Sequence, residues 1–350
     1  LIVYPDRMPR PQTFSTLVFI PLFIAIAAAQ ATPAYKYLRT GSPQDRATQP
    51  QAGFALMGGG ADLDEAFRIL CTRAHGGDFL ILRATGSDDY NPYIHGLEDG
   101  AGCQLNSVAT LILPTRESAN APFAAQTIRQ AEAIFIAGGD QANYTRNWTN
   151  TPVQQELNAA IARGVPLGGT SAGLAVLGEY AYSAEGDKQD DPNLDAPTAL
   201  ANPLGPRITL AHNFLSIPQL KGILTDSHFA KRNRMGRLLA FLAQIHAKAP
   251  RQTIHGLGIE ERCAILLEPN GHGKVIGHTS EHAAAYLVSI TESPSHLDPG
   301  KPLPHATFSV QKVPVGQAVN LADWQNNAPP CTLTIQAGKL STNPPNHPIY

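Results

Sequence analysis

The pentapeptide Gly169-Thr170-Ser171-Ala172-Gly173 has the residue types and spacing of a nucleophile elbow. Small residues on both sides of Ser171 let the chain turn sharply and lift the hydroxyl into a cleft. A short apolar stretch over 165–168 precedes it and a helix-like stretch over 174–177 follows, which is the strand–turn–helix context the motif needs. Partial charge at a helix N-terminus would favour negative charge developing there. A serine hydroxyl attacks only with a base to take its proton. The run Thr225-Asp226-Ser227-His228-Phe229 offers one, and its dense polar setting after the apolar 222–224 distinguishes His228 among 12 histidines.

Two further groups could complete such a site. In Ile136-Ala137-Gly138-Gly139-Asp140-Gln141 the glycines permit close backbone approach, and the amide of Gly139 or Asp140 could join that of Ala172 as an oxyanion hole. An ordinary tight turn explains the same glycines equally well. Arg232, Arg234 and Arg237 follow His228. They read either as a solvated helix face or as guanidinium forks that hold a substrate carboxylate.

These residues need a scaffold that brings their loops together. Continuous apolar runs at 54–57, 79–82, 108–113 and 133–137 alternate with helical spacing at 62–74, 122–131 and 152–163. In the first helix Leu63, Ala66, Phe67 and Leu70 share one face. Apolar strands alternating with amphipathic helices predict a parallel sheet covered on both faces. Ligands bind beyond the carboxyl ends of such strands, where the glycines at 58–60, 138–139 and 168–169 fall. A helix is expected over 231–247. Beyond it, short strand-like pieces at 253–259, 264–267, 274–277, 286–291, 308–313 and 331–335 predict a β-rich C-terminal extension. The expected organisation is a segment 1–31, a polar linker 32–52, an α/β domain 53–260 and the extension 261–350.

Within 1–31, Arg7 and Arg10 precede an apolar run and the small-x-small sequence Ala29-Gln30-Ala31, the pattern of a secretory signal peptide. The run is short for a membrane span and Pro21 interrupts it. Secretion or periplasmic export is the expectation. An oxidising compartment would allow the four cysteines to pair, with Cys71–Cys103 and Cys263–Cys331 the preferred local arrangement and free thiols the alternative. The 350 residues carry 43% hydrophobic and 15% charged side chains with a formal charge of -2. That composition excludes a disordered chain and argues against nucleic acid as a partner, since phosphate binding needs a cationic excess. None of the cysteine spacings resembles a zinc ligand set, and neither metal nor cofactor is expected.

Taken together, residues 57–67, Gly138-Gly139-Asp140-Gln141, Gly168 to Gly173 and Asp226-Ser227-His228-Phe229 with the three arginines resemble the cyanophycinase and dipeptidase E family of serine exopeptidases. The spacing Asp-x-His-Phe…Arg-x-Arg-x-x-Arg is closer to the cyanophycinases, and the leader to secreted members. The resemblance covers most of 53–260. It implies a three-layer parallel-sheet sandwich of the class I glutamine amidotransferase-like type, Ser171 as nucleophile and His228 as base. It further implies that Gln141, Asp226, Arg232, Arg234 and Arg237 line the substrate site, and that the chain forms a homodimer. The family carries an acid after the nucleophile helix, where this chain has Gln189. Asp190, Asp187 and Glu185 are the candidates for the third triad member, with Asp190 preferred. The implied activity is hydrolysis of cyanophycin, a poly-aspartate bearing arginine on its side chains, to β-Asp-Arg dipeptides through an acyl-enzyme. An Asp-directed dipeptidase or isopeptidase, or a catalytically silent polymer-binding protein, are the alternatives.

Overall fold

The computed structural model describes Leu1, residues 34–97, 104–187 and 193–324, and all later residues except 325 and 328. Residues 33–350 form one compact unit. In chain order the elements are β1 (Lys36–Gly41), β2 (Phe54–Met57), α1 (Asp64–Arg73), β3 (Asp78–Arg83), α2 (Tyr90–Gly96), β4 (Ser107–Ile112), α3 (Arg116–Ala119) and α4 (Pro122–Arg129). Then come β5 (Ala133–Ile136), α5 (Gln141–Trp148), α6 (Pro152–Ala162), β6 (Leu167–Thr170), α7 (Ala172–Ala175), β7 (Tyr180–Tyr182), α8 (Ala196–Ala201), β8 (Leu210–His212) and β9 (Ile223–Asp226). The last are α9 (Met235–Lys248), β10 (His255–Ile259), β11 (Cys263–Leu267), β12 (His272–Gly277), β13 (Ala284–Glu292), β14 (Ala306–Pro314), β15 (Ala318–Asn320), β16 (Cys331–Gln336) and β17 (Lys339–Asn343).

They make an α/β fold with two mixed sheets, consistent with a glutamine amidotransferase-like sandwich. The first sheet runs β1-β4-β3-β5-β6-β2-β11-β12-β15. Its middle, from β4 through β2, is parallel, as the continuous apolar runs require. The second runs β17-β16-β14-β13-β10-β9-β7-β8, parallel where β9 meets β7 and β10. Successive residues of the central strands enter different cores. Phe54 and Leu56 join one cluster, while Ala55 and Met57 join another with Phe67, Leu70 and Ile94. The first of these also takes in Ile223, Leu257 and Leu287, so it is shared between the two sheets. A third cluster packs Leu238, Phe241 and Leu242 of α9 against Tyr286 and Phe308.

The strand-like pieces after residue 253 are all strands, and they complete both sheets: β11 pairs with β2, and β13 with β10. The linker expected at 32–52 contains β1, antiparallel to β4. It is tied down by polar contacts rather than by apolar periodicity. The Asp78 carboxylate accepts from the Arg39 guanidinium (2.8 Å), the Ser107 hydroxyl (2.5 Å) and the Arg46 amide (3.1 Å). The helix expected over 231–247 begins only at Met235, because residues 228–234 form turns in which His228 and Asn233 take positive φ.

The cysteines divide differently from expectation. Cys71 is disulfide-bonded, but Cys263 and Cys331 are free thiols. Cys103 lies outside the described residues. Cys263 is buried, and desolvation pushes its thiol up to about 12. Thiolate is the reactive form. Alkylation of the native protein followed by peptide mapping should therefore modify the half-buried Cys331 first. Cys263 should react only after denaturation, and Cys71 only after reduction.

Candidate active site

The loops that carry the candidate residues leave the carboxyl ends of strands from both sheets. Ser171 follows β6, the glycines at 58–60 follow β2, Gly138 to Asp140 follow β5, and His228 follows β9. Ser171 sits at φ 54°, ψ -114°, a conformation non-glycine residues rarely adopt. The turn is enforced by close packing: a side chain at Gly173 would collide with the Ile136 carbonyl oxygen. The helix behind the elbow is the four-residue α7, so any help to an oxyanion comes from local amides rather than from a long helix dipole. The amides of Gly139, Asp140 and Ala172 have no acceptor among the described residues, which leaves them free to donate. A Cβ on Gly138 would lie 3.5 Å from Ser171 Cβ, so that backbone passes beside the hydroxyl.

His228 meets Ser171 directly. Its Nε2 lies 2.7 Å from Ser171 Oγ, and its Nδ1 lies 2.6 Å from Glu261 Oε1. A carboxylate only accepts, so Nδ1 carries the proton and Nε2 is free to accept from the serine. The ring slides over Gly59, where a Cβ would stand 2.5 Å from Nε2. The backbone is fixed as well: the His228 amide donates to Gly58 O (2.8 Å), and the Arg262 amide to Gly59 O (2.8 Å). Burial holds the His228 imidazolium below its usual range; Glu261 pulls the other way, and the charges of Arg232 and Arg234 add to the lowering. The resting imidazole is thus the neutral base that serine activation requires.

Glu261 takes the place expected for a carboxylate after the nucleophile helix. Asp190 and Gln189 lie outside the described residues. Asp187 is paired with Arg207, and Glu185 accepts from the Thr145 hydroxyl at 2.9 Å. Neither reaches His228, whose Nδ1 is already engaged. Glu261 is not marked by the local motifs because it sits 33 residues beyond the histidine, just after β10. The adjacent acids Glu260 and Glu261 at a strand's carboxyl end were the available signal.

Beyond the serine opens a polar cleft of about 640 Å³. Gly139, Asp140, Gln141, Ala172 and the three arginines line it. Asp226 does not: it is buried and functions as an internal counter-ion. Its Oδ2 accepts from Arg237 Nε (2.8 Å), its Oδ1 from Arg237 Nη2 (2.5 Å) and more distantly from Arg234. Burial opposes ionisation of Asp226, but the two guanidinium groups outweigh it and hold the carboxyl below its usual range. Arg234 also donates to Ser227 O and Asn193 Oδ1. The expected clamp of three equivalent arginines is therefore divided. Arg232 is exposed, whereas Arg234 and Arg237 are buried and engaged. Exposed Arg146 joins Arg232 on the cleft wall, opposite in sign to Asp140 and Glu185. Among the described residues no group of three or more His, Cys, Asp or Glu is placed to hold a metal ion.

A family model described as peptidase family S51 matches residues 58–274. The chain is similar to the cyanophycinase of Synechococcus elongatus, 27% identical over 277 residues that cover 77% of this chain and 79% of that protein. It is 32% identical over 151 residues to the cyanophycinase of Geminocystis herdmanii (strain PCC 6308), covering 43% and 48% of the two. A crystal structure of a peptidase from an acI-B1 Actinobacterium aligns with 78% of this chain and 98% of its own at 20% identity, with a TM-score of 0.49.

Loss of the acid that orients the histidine should be costly. Glu261→Gln should lower kcat for peptide turnover by roughly 10³–10⁴-fold, while thermal unfolding shows the fold intact. The acid limb of the kcat/KM profile should lie below pH 6.5, because activity disappears only as pH falls through the depressed His228 pKa. Arg232→Gln removes one of the lowering charges and should move that limb upward.

Proposed function

The chain belongs to peptidase family S51 and is a serine hydrolase; from that premise we propose that it hydrolyses cyanophycin to β-Asp-Arg dipeptides. Ser171 attacks the scissile carbonyl as its proton passes to His228 Nε2, and Glu261 stabilises the imidazolium that forms. The amides of Ala172 and of Gly139 or Asp140 receive the oxyanion. The imidazolium then protonates the leaving amine, and water returns the acyl-enzyme to its resting state by the reverse proton transfers.

The observation that carries this reading is the mixed charge of the cleft beside Ser171. Exposed Arg232 and Arg146 suit free carboxylates, and Glu185 suits a guanidinium group. A polymer of aspartate bearing arginine presents both. The similar proteins named cyanophycinase agree with this substrate class. On the same reading the N-terminal leader exports the enzyme to polymer outside the cell, and two copies associate as a homodimer.

Incubation of the purified protein with cyanophycin should release β-Asp-Arg, and Ser171→Ala should release none. Glu185→Gln should raise KM about tenfold or more with a smaller change in kcat, since it removes a charge-assisted contact worth roughly 1.5–3 kcal/mol. Turnover of short aspartyl peptides without release from the polymer would instead identify a dipeptidase. Lack of serine labelling in folded protein would contradict catalysis altogether.

A further inference from the structure

Glu260 and Glu261 are consecutive, yet their carboxylates hold different parts of the same histidine loop. Glu261 bonds the imidazole. The neighbouring Glu260 is buried, and its Oε2 accepts from two successive backbone amides, Ala230 N–H at 2.5 Å and Lys231 N–H at 3.0 Å. These are the second and third residues after His228. We propose that Glu260 is a positioning residue for the serine-hydrolase reaction, holding the turn after His228 so that the ring stays in line between Ser171 and Glu261.

The His228 backbone is restrained on both sides. Its φ of 47° lies in the left-handed region, which a histidine does not favour and which the surroundings must maintain. On the upstream side, the His228 amide is fixed to Gly58 O. On the downstream side, the Arg232 amide closes onto His228 O (3.0 Å) and the Arg234 amide onto Phe229 O (2.9 Å). The amides of Ala230 and Lys231, which lie inside the turn from His228 to Arg232, point to Glu260, and neither has another acceptor among the described residues. Glu260 is itself anchored, its amide donating to Ala284 O of β13. The Glu260 backbone is packed closely against Gly58, so the carboxylate reaches the loop from a fixed main chain. One dipeptide at the end of β10 thereby sets both the ring and the backbone that carries it.

The role requires a hydrogen-bond acceptor of the right length, not merely a negative charge. That distinction makes it testable without knowing the substrate. Glu260→Gln keeps an acceptor oxygen at the same reach; Glu260→Asp keeps the charge but falls short by one methylene; Glu260→Ala removes both. The readout is the rate at which a fluorophosphonate modifies Ser171, with its pH profile, alongside thermal unfolding of each variant.

The glutamine variant should label within about threefold of the parent. The aspartate and alanine variants should be slower by about tenfold or more, with the saturation constant for the reagent changed less than about twofold. The acid limb should move to lower pH further in the alanine than in the glutamine variant, because a displaced ring loses the Glu261 bond that raises its pKa. Parent-like labelling by Glu260→Ala would overturn the proposal, as would glutamine and alanine variants that are equally slow. Should Glu260→Ala not fold, the remaining pair decides. Asp slower than Gln supports positioning, and Asp as fast as Gln or faster overturns it. Because the readout is serine modification, its outcome is independent of whether cyanophycin is cleaved.

Discussion

An imidazole can take a proton from serine and pass it to a leaving group only if its ring is neutral at rest, oriented and unable to swing away. The short contacts from His228 to Ser171 and Glu261 are therefore the interaction on which the rest of the site depends. Burial keeps the ring uncharged at rest, and the absence of a side chain at Gly59 makes room for it. The carboxylate then stabilises the charged state that exists only during reaction. A group that is unfavourable at rest and favourable near the transition state lowers the barrier rather than merely tightening binding.

Holding that ring draws on both sheets. Ser171 and Gly58 leave strands of the first sheet, while His228 and Glu261 leave strands of the second. The two are joined locally by backbone hydrogen bonds: Gly58 N–H to Cys263 O, His228 N–H to Gly58 O, and Arg262 N–H to Gly59 O. The glycines at 58–60 thus act as a backbone bracket beneath the histidine. Nothing about a glycine run requires a ligand. Here it allows three segments far apart in sequence to approach at main-chain distance.

The buried Asp226, Arg234 and Arg237 perform a different task from the one their charges suggest. A carboxylate sealed between two guanidinium groups is removed from competition for substrate, and breaking it would leave an uncompensated buried charge. Arg237 is also stacked near the rings of Tyr182 and Phe241. These groups give the cleft a rigid floor. Exposed Arg232, Arg146 and Glu185 remain at its wall as the groups a substrate can reach.

The elbow around Ser171, the histidine after an apolar strand and the glycine turn at 138–139 were legible because each motif is local. Their chemistry and their strand-end context fit within a few consecutive residues. Apolar runs likewise identified the parallel strands, since strands covered on both faces have no polar positions to interrupt them. Edge strand β1 left no such mark, for it is fastened through Asp78 and polar neighbours. The third triad member was not local either. Glu261 is one of two adjacent acids in a strand-end turn whose local sequence names no partner, and it reaches His228 only because β11 pairs antiparallel with β2 while β10 pairs parallel with β9. The sequence by itself determined which residues could attack, which could accept a proton, and that the strands would bring their carboxyl ends to one cleft. Which carboxylate faces the histidine, and which arginines are buried rather than offered to substrate, was decided only by tertiary structure. The physical reason is that pairing between charged groups depends on distance in space and on burial, and neither is encoded in spacing along the chain.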